Sequence, residues 1–256
     1  MARFSFSLKE IGQSVTAPLA IVMPIYNEEA NIIRVLMAWA ECLRGLGVKF
    51  QFIALDDGSR DGTHAALLQW EAENPAEICV VHKPNSGHGM TCRTGYDIAV
   101  NSQAEWILQI DSDGQCDPAH FADFWSRREG HDCIFGFRKK RDDGLARVIT
   151  SSICRLGSCL ISGQDLRDPN VPYRLLRRSA LEAALRHIPP GFNIHNVALT
   201  YVLKKLPGLR WDYVPIHFLD RQGGTNSINV LQVVTWGVEM LLELARIKVR
   251  PPRIAP

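Results

Sequence analysis

This 256-residue chain has no cysteine pair at zinc-finger spacing, no dominant charge sign, no long uncharged apolar run and no internal repeat or low-complexity block. Each absence excludes something. The seven cysteines are scattered and odd in number, and Cys79 and Cys133 sit in apolar runs, so reduced, mostly buried thiols are expected in place of a secreted disulfide framework. With 29 basic and 27 acidic residues the formal net charge is only +2, and no basic patch is interleaved with aromatics, which argues against a nucleic-acid partner. No stretch is long and uncharged enough to cross a bilayer, and Met1 to Gln13 lack the apolar region of a secretory signal. A cytoplasmic protein is expected. What is present suits a globular enzyme: 46% hydrophobic and 22% charged residues support a sizeable core, at a length one α/β unit can hold.

The first half alternates two kinds of segment. Strand-like runs occur at Leu19 to Met23, Phe50 to Leu55, Ile78 to Val81, Trp106 to Ile110 and Asp132 to Phe135. Helical spacing fills the intervals, from Asn27 to Leu43, through Ala65, Leu68 and Trp70, and up to Val100. That alternation predicts an α/β fold with a mostly parallel sheet and helices on both faces. The second half is less regular. Leu145 to Ile161 fits an amphipathic helix, Val171 to Leu176 and Leu209 to Ile216 fit strands, and residues 228–247 fit a long helix before a basic, proline-rich tail. The expected division is a domain at 1–225 and an appended helix and tail at 226–256.

Ligands of such sheets lie beyond the carboxyl ends of the strands, and four motifs fall there. Pro24-Ile25-Tyr26-Asn27-Glu28-Glu29 ends the first strand, and Asp56-Asp57-Gly58-Ser59-Arg60-Asp61-Gly62-Thr63 ends the second. Asn85-Ser86-Gly87-His88-Gly89 follows the third, and Asp111-Ser112-Asp113-Gly114-Gln115 ends the fourth. Singly, each has a structural explanation in turns and helix caps. Together they do not. Residues two apart on a strand point to one side, so Asp111 and Asp113 are expected to offer paired hard oxygens to Mg2+ or Mn2+ where the strand leaves the sheet.

These residues closely resemble family 2 glycosyltransferases of the GT-A fold, over about residues 18–225. Within the family the chain looks most like the polyprenyl-phosphate (dolichyl or undecaprenyl) sugar transferases. Gln115 and Pro118 match their Asp-x-Asp-x-Gln-x-x-Pro pattern, and Asp168-Pro169-Asn170-Val171-Pro172-Tyr173-Arg174 stands where they have Asp-Pro-x-Ser-Gly-Phe-Arg. The resemblance implies an inverting transfer of a sugar from a UDP- or GDP-linked donor. It implies that Pro24, Tyr26, Glu28, Asp57 and Ser112 line the nucleotide-sugar pocket, that Asp111, Asp113 and Gln115 hold the divalent cation, and that Arg138 and Arg221 contact the phosphates.

Departures from the pattern bear on the acceptor. Hydroxyl-glycosylating members carry Glu-Asp at a helix start that here reads His195-Asn196. A hydroxyl must lose its proton to a base, whereas a lipid phosphate is already an anion. The missing carboxylates favour polyprenyl phosphate, with His195 as the candidate base if the acceptor is a hydroxyl. The altered Val171-Pro172-Tyr173 turn, and Asn226-Ser227-Ile228 in place of a lysine, keep open a hydroxyl acceptor, with Asp165 or Asp168 as further candidate bases, or a non-catalytic nucleotide-sugar-binding module. A nucleotidyltransferase fits less well, since Pro24 to Glu29 is not glycine-rich. In residues 228–247, Val230, Val233, Val234, Val238, Leu241, Leu242 and Ala245 form one apolar side, and Lys248, Arg250 and Arg253 follow. That suits peripheral contact with the cytoplasmic face of a membrane. Packing on the chain's own domain or on the partner of a homo-oligomer is the alternative.

Overall fold

The computed structural model describes residues 7–138, 167–189, 191, 195–219 and 247, with His195 represented by backbone alone. The helical expectations for 145–161 and 228–247 lie outside the described residues, save that Ile247 is buried against the core.

Strand β1 (Leu19–Ile25), helix α2 (Ile32–Gly45), β2 (Phe50–Asp56), α3 (Thr63–Glu73), β3 (Ile78–His82), α4 (His88–Val100) and β4 (Trp106–Gln109) follow a short N-terminal helix α1 (Leu8–Ser14). Then come α5 (Phe121–Arg127), β5 (Cys133–Arg138), β6 (Arg174–Arg177), α6 (Arg178–Leu185), α7 (His195–Lys205) and β7 (Trp211–Ile216). The sheet has the order β3-β2-β1-β4-β6-β5-β7. β6 runs antiparallel to both β4 and β5, and the other described pairs are parallel. The expectation of a mostly parallel sheet is met.

Local chemistry explains the elements. Every residue of β1, β2 and β4 is buried, because strands covered on both faces read as continuous apolar runs. In α2 the buried residues Ile32, Val35, Leu36, Trp39, Ala40 and Leu43 recur at helical spacing. Right-handed crossovers put α2 and α3 on one face and, since the chain then returns past β1 to form β4, α4 on the other. Accordingly α2 touches α3, whereas α4 packs on β1 and β2 and meets α1, α6 and α7. Close approach of α4 requires Gly95, where an added Cβ would lie 2.5 Å from Val22 and 2.7 Å from Leu55. Gly95→Ala is expected to destabilise by about 1–3 kcal/mol through overpacking, measured as a fall in the urea midpoint at unchanged slope.

Several boundaries differ from the sequence expectations. The first long helix begins at Ile32, not Asn27, because residues 27–29 are hydrogen-bonded into the 59–63 loop. The fourth strand stops at Gln109, and the strand expected from Val171 occupies only Arg174–Arg177. The helix α1 was not anticipated, although its capping box is written in the sequence: the Ser7 side chain and the Glu10 carboxylate each accept the other's backbone N–H.

Candidate active site

The order of strands reverses between β1 and β4, which makes the crevice beyond their carboxyl ends the place where a ligand fits. All four motifs lie at that edge. On the β1 side, Ile25 O accepts from Asp57 N at 2.8 Å, so the alternate residue Pro24 turns its backbone toward β4. β4 pairs only as far as Val22 with Gln109, so the N–H that Pro24 lacks would have had no strand to meet. Beyond it Tyr26 is 42% exposed, an apolar ring open to the crevice. Asn27 takes φ 52°, held by its N–H on Ser59 Oγ and its side-chain oxygen on Arg60 N. Glu28 is half-buried, its N–H on Thr63 Oγ1 and its Oε2 accepting from Asn31.

Asp57 is buried, and both of its oxygens are used inside the protein. Lys83 Nζ and Ser86 N donate to Oδ1 and Gly87 N to Oδ2, so the carboxylate fixes the glycine loop that opens α4. Burial is the largest influence and would raise this carboxyl, but Lys83, Ser86 and Thr91 together hold it below its ordinary value. A depressed folded pKa contributes stability that is present above the unfolded value of about 3.9 and lost as the pH falls through the folded one. Asp57→Asn is therefore expected to be destabilised near neutrality and to lose part of the wild-type's acid sensitivity, as read by thermal melts at pH 7 and below 4.

Asp111 and Asp113 do not sit on the strand. β4 ends at Gln109, and the acidic pair occupies a turn closed by Gly114 at φ 77° and by Gln115 N on Asp113 Oδ1 at 3.1 Å. The two-residue strand period expected to align them therefore does not apply; the turn sets their positions. Asp111 Oδ1 accepts from Gln109 Nε2 at 3.2 Å and lies 3.8 Å from His88 Nε2, while its side chain stays 29% exposed. Gln109 is fully buried and also meets Tyr96 Oη at 3.4 Å, so the acid rests on a buried polar chain. The neighbouring Cys92 sulfur, 3.5 Å away, and then Asp111 raise the proton affinity of His88 against the effect of burial. Ser112 between the acids is buried. Two half-exposed carboxylates on a turn, with solvent at hand to complete the shell, suit a hard divalent cation such as Mg2+ or Mn2+.

The remaining candidates are distributed unevenly. Gln115 closes the site from the side, its Nε2 on Leu219 O at 3.3 Å and its own carbonyl accepting from Leu219 N at 3.0 Å. The Arg138 guanidinium is paired in two hydrogen bonds with Asp168, at 2.8 and 2.9 Å, so this arginine and a candidate base neutralise one another. Asn196 is buried at the start of α7, its carbonyl accepting from Arg174 and Thr200. The His195 side chain, Asp165 and Arg221 lie outside the description. Sequence reasoning gave no role to Gln109, His88 or Arg174. Gln109 had a legible signal, a polar residue inside an apolar run. Arg174 ends the Asp168–Arg174 motif, but its role was not legible there, because its carbonyl partners on Pro169, Val171 and Asn196 are set by the packing of α7 on the 169–173 turn.

Comparison with known proteins agrees with this geometry. Undecaprenyl-phosphate 4-deoxy-4-formamido-L-arabinose transferase of Pseudomonas paraeruginosa is 31% identical over 170 residues, 65% of this chain and 49% of that protein. The protein of the same name from Pectobacterium atrosepticum is 24% identical over 226 residues, 87% of this chain and 66% of its own length. The chain thus spans about half the length of the first of these relatives. Among solved structures, glucosyl-3-phosphoglycerate synthase of Mycobacterium tuberculosis, in complex with Mn2+, uridine diphosphate and phosphoglyceric acid, superposes with a TM-score of 0.64 at 18% identity, over 97% of this chain and 86% of that one. At such identity the likeness speaks for the fold alone, which is GT-A. The family model for glycosyl transferase family 2 matches residues 20–185, all four strand-end motifs included, and the chain belongs to that family.

Proposed function

We propose that the chain is a divalent-cation-dependent glycosyltransferase that moves a sugar from a nucleoside diphosphate donor to polyprenyl phosphate, with inversion at the sugar carbon. The observation that carries this reading is the half-exposed pair Asp111 and Asp113 at the switch point between β1 and β4, on a chain related to transferases named for undecaprenyl phosphate. Tyr26 packs against the base, and Glu28 is the nearby acid available to its N–H groups. Asp57, with its oxygens occupied, acts by holding the 85–89 loop in shape. Asp111 and Asp113 would hold Mg2+ or Mn2+, with the Gln115 side-chain Oε1 as a further donor. When bound, the cation stabilises negative charge on the departing nucleoside diphosphate.

In the reaction an acceptor phosphate oxygen bonds to the anomeric carbon as the bond to the donor phosphate breaks, and the electron pair leaves with the nucleoside diphosphate. No proton needs removing. This is consistent with an amide, Asn196, where hydroxyl-glycosylating relatives have a carboxylate, and with Asp168 already paired to Arg138. The segment 226–256 is proposed to lie on the membrane surface, where Lys248, Arg250 and Arg253 each add about 1 kcal/mol on anionic lipid. Among the described residues no helix is long and apolar enough to cross a membrane.

A second reading, transfer to a hydroxyl of a glycan or metabolite, draws on the altered Val171-Pro172-Tyr173 turn. One experiment separates the two. The chain is given UDP- and GDP-linked sugars with Mg2+ or Mn2+ and offered short polyprenyl phosphates beside soluble hydroxyl acceptors. Cation-dependent lipid-phosphate sugar is expected. Transfer to hydroxyl acceptors alone, or no transfer from any donor, overturns the proposal.

A further inference from the structure

The described residues contain a second group of possible metal ligands, away from the Asp111 turn. Asp56 ends β2, His82 ends β3, and His64 is the second residue of α3. Their ligand atoms all lie within 4.8 Å of one another. The sheet order puts β1 between β2 and β4, so this cluster stands two to three strand spacings, about 10–14 Å, from the end of β4.

We propose that Asp56, His64 and His82 bind a divalent transition ion of the Zn2+ class. Three features point to a ligand and not to a hydrogen-bonded cluster complete in itself. First, Asp56 is fully buried and turns one oxygen, Oδ2, toward both imidazoles, with His82 Nδ1 at 2.7 Å and His64 Nδ1 at 3.2 Å. Secondly, His64 Nδ1 is buried and, although 3.2 Å from Asp56 Oδ2, is not aligned for a hydrogen bond, so that carboxylate oxygen and nitrogen face one another without the bond that His82 makes. Thirdly, the rings lie 4.4 Å apart, tilted by 43°, and keep 36% and 50% of their side-chain surfaces exposed, so the cluster lies near the surface and not deep in the core. Ligands about 2.1 Å from a tetrahedral ion are about 3.4 Å apart; the two Asp56–histidine separations, 2.7 and 3.2 Å, are slightly shorter, so a small outward movement of the rings would admit an ion.

The second shell fits as well. Asp56 Oδ1 accepts from Ser59 N at 3.0 Å, which leaves Oδ2 to face the ion. The ammonium of Lys83, next to His82 in the chain, is engaged with Asp57. Two imidazoles and one carboxylate select zinc, cobalt or nickel over magnesium. A bound ion would tie the ends of β2 and β3 to the first turn of α3, immediately before the Asp57–Lys83 pair that fixes the glycine loop.

The test uses the intact, metal-stripped chain and Co2+ as the probe. Visible d–d absorption saturating at one ion per chain and displaced by Zn2+ is expected. It should persist when Asp111 and Asp113 are both changed to alanine, which separates this site from the proposed catalytic cation. Co2+ affinity should fall by at least about tenfold in His64→Ala and in His82→Ala. Should either variant fail to fold, nitrogen-15 spectra of the wild-type histidines decide: Zn2+ should shift the Nδ1 signals of two of the eight. Absence of the Co2+ absorption in the intact chain overturns the proposal. So does absorption unaltered in both folded histidine variants, or a Zn2+ shift at other histidines.

Discussion

Asp113→Asn is expected to lower sugar transfer roughly 10³-fold while leaving the fold intact. The two halves of that expectation have separate causes. Asparagine keeps a side-chain oxygen in the place of the one that accepts from Gln115 N, so the turn at Gly114 survives. What is lost is one of two carboxylates available to a divalent cation, and with it much of the charge stabilisation of the leaving diphosphate, several kcal/mol in comparable sites. About 4 kcal/mol corresponds to that thousandfold loss. The half-exposed position makes little demand on stability, so melting should change by less than about 0.5 kcal/mol. Rates across a Mg2+ and Mn2+ titration are the measurement. Near-normal transfer with an unaltered cation response would remove Asp113 from the site.

Arg174→Met should be the most destabilising of these substitutions, by about 3–5 kcal/mol. The guanidinium is wholly buried and serves as a clamp for backbone carbonyls. Nε donates to Val171 O at 2.9 Å, Nη1 to Asn196 O at 3.0 Å, and Nη2 to Val171 O and Pro169 O. Its plane stands 4.8 Å from the Phe135 ring centroid. Methionine fills the space but strips Val171 O of both guanidinium donors and takes one donor each from Pro169 O and Asn196 O, which keep only Thr200 Oγ1 among the described side-chain donors, and removes the buried positive charge that acts on Asp111. Arg174→Lys should fail almost as badly, because one ammonium cannot reproduce a planar fork over three carbonyls. Urea unfolding measures the effect. A midpoint matching wild type would show that the clamp is dispensable.

These two residues mark how far the sequence could be read. Asp113 stands in a motif that names its chemistry locally, an acid pair after an apolar run. Arg174 closes a motif that does not name its role, which emerges only when β6 is inserted, reversed, between β4 and β5. Asp57 shows the same limit from the other side. It was expected at the nucleotide, yet its oxygens hold Lys83, Ser86 and Gly87, residues brought to it by the parallel pairing of β2 with β3. Arg138, expected at the phosphates, also makes two hydrogen bonds with Asp168, a partner the sequence did not reveal.

The sequence by itself determined the alternation of strands and helices and the placing of four motifs at strand ends, because each is written in the periodicity or turn chemistry of adjacent residues, and the motifs in turn carried the resemblance to the family. Only the tertiary structure decided which acids are buried and which half-exposed, where β6 runs, and that His64 and His82 meet over Asp56. Those facts depend on hydrogen bonds and ion pairs between residues distant in the chain. Side-chain type states what a group can bond to, but the order of strands in the sheet decides which partner arrives.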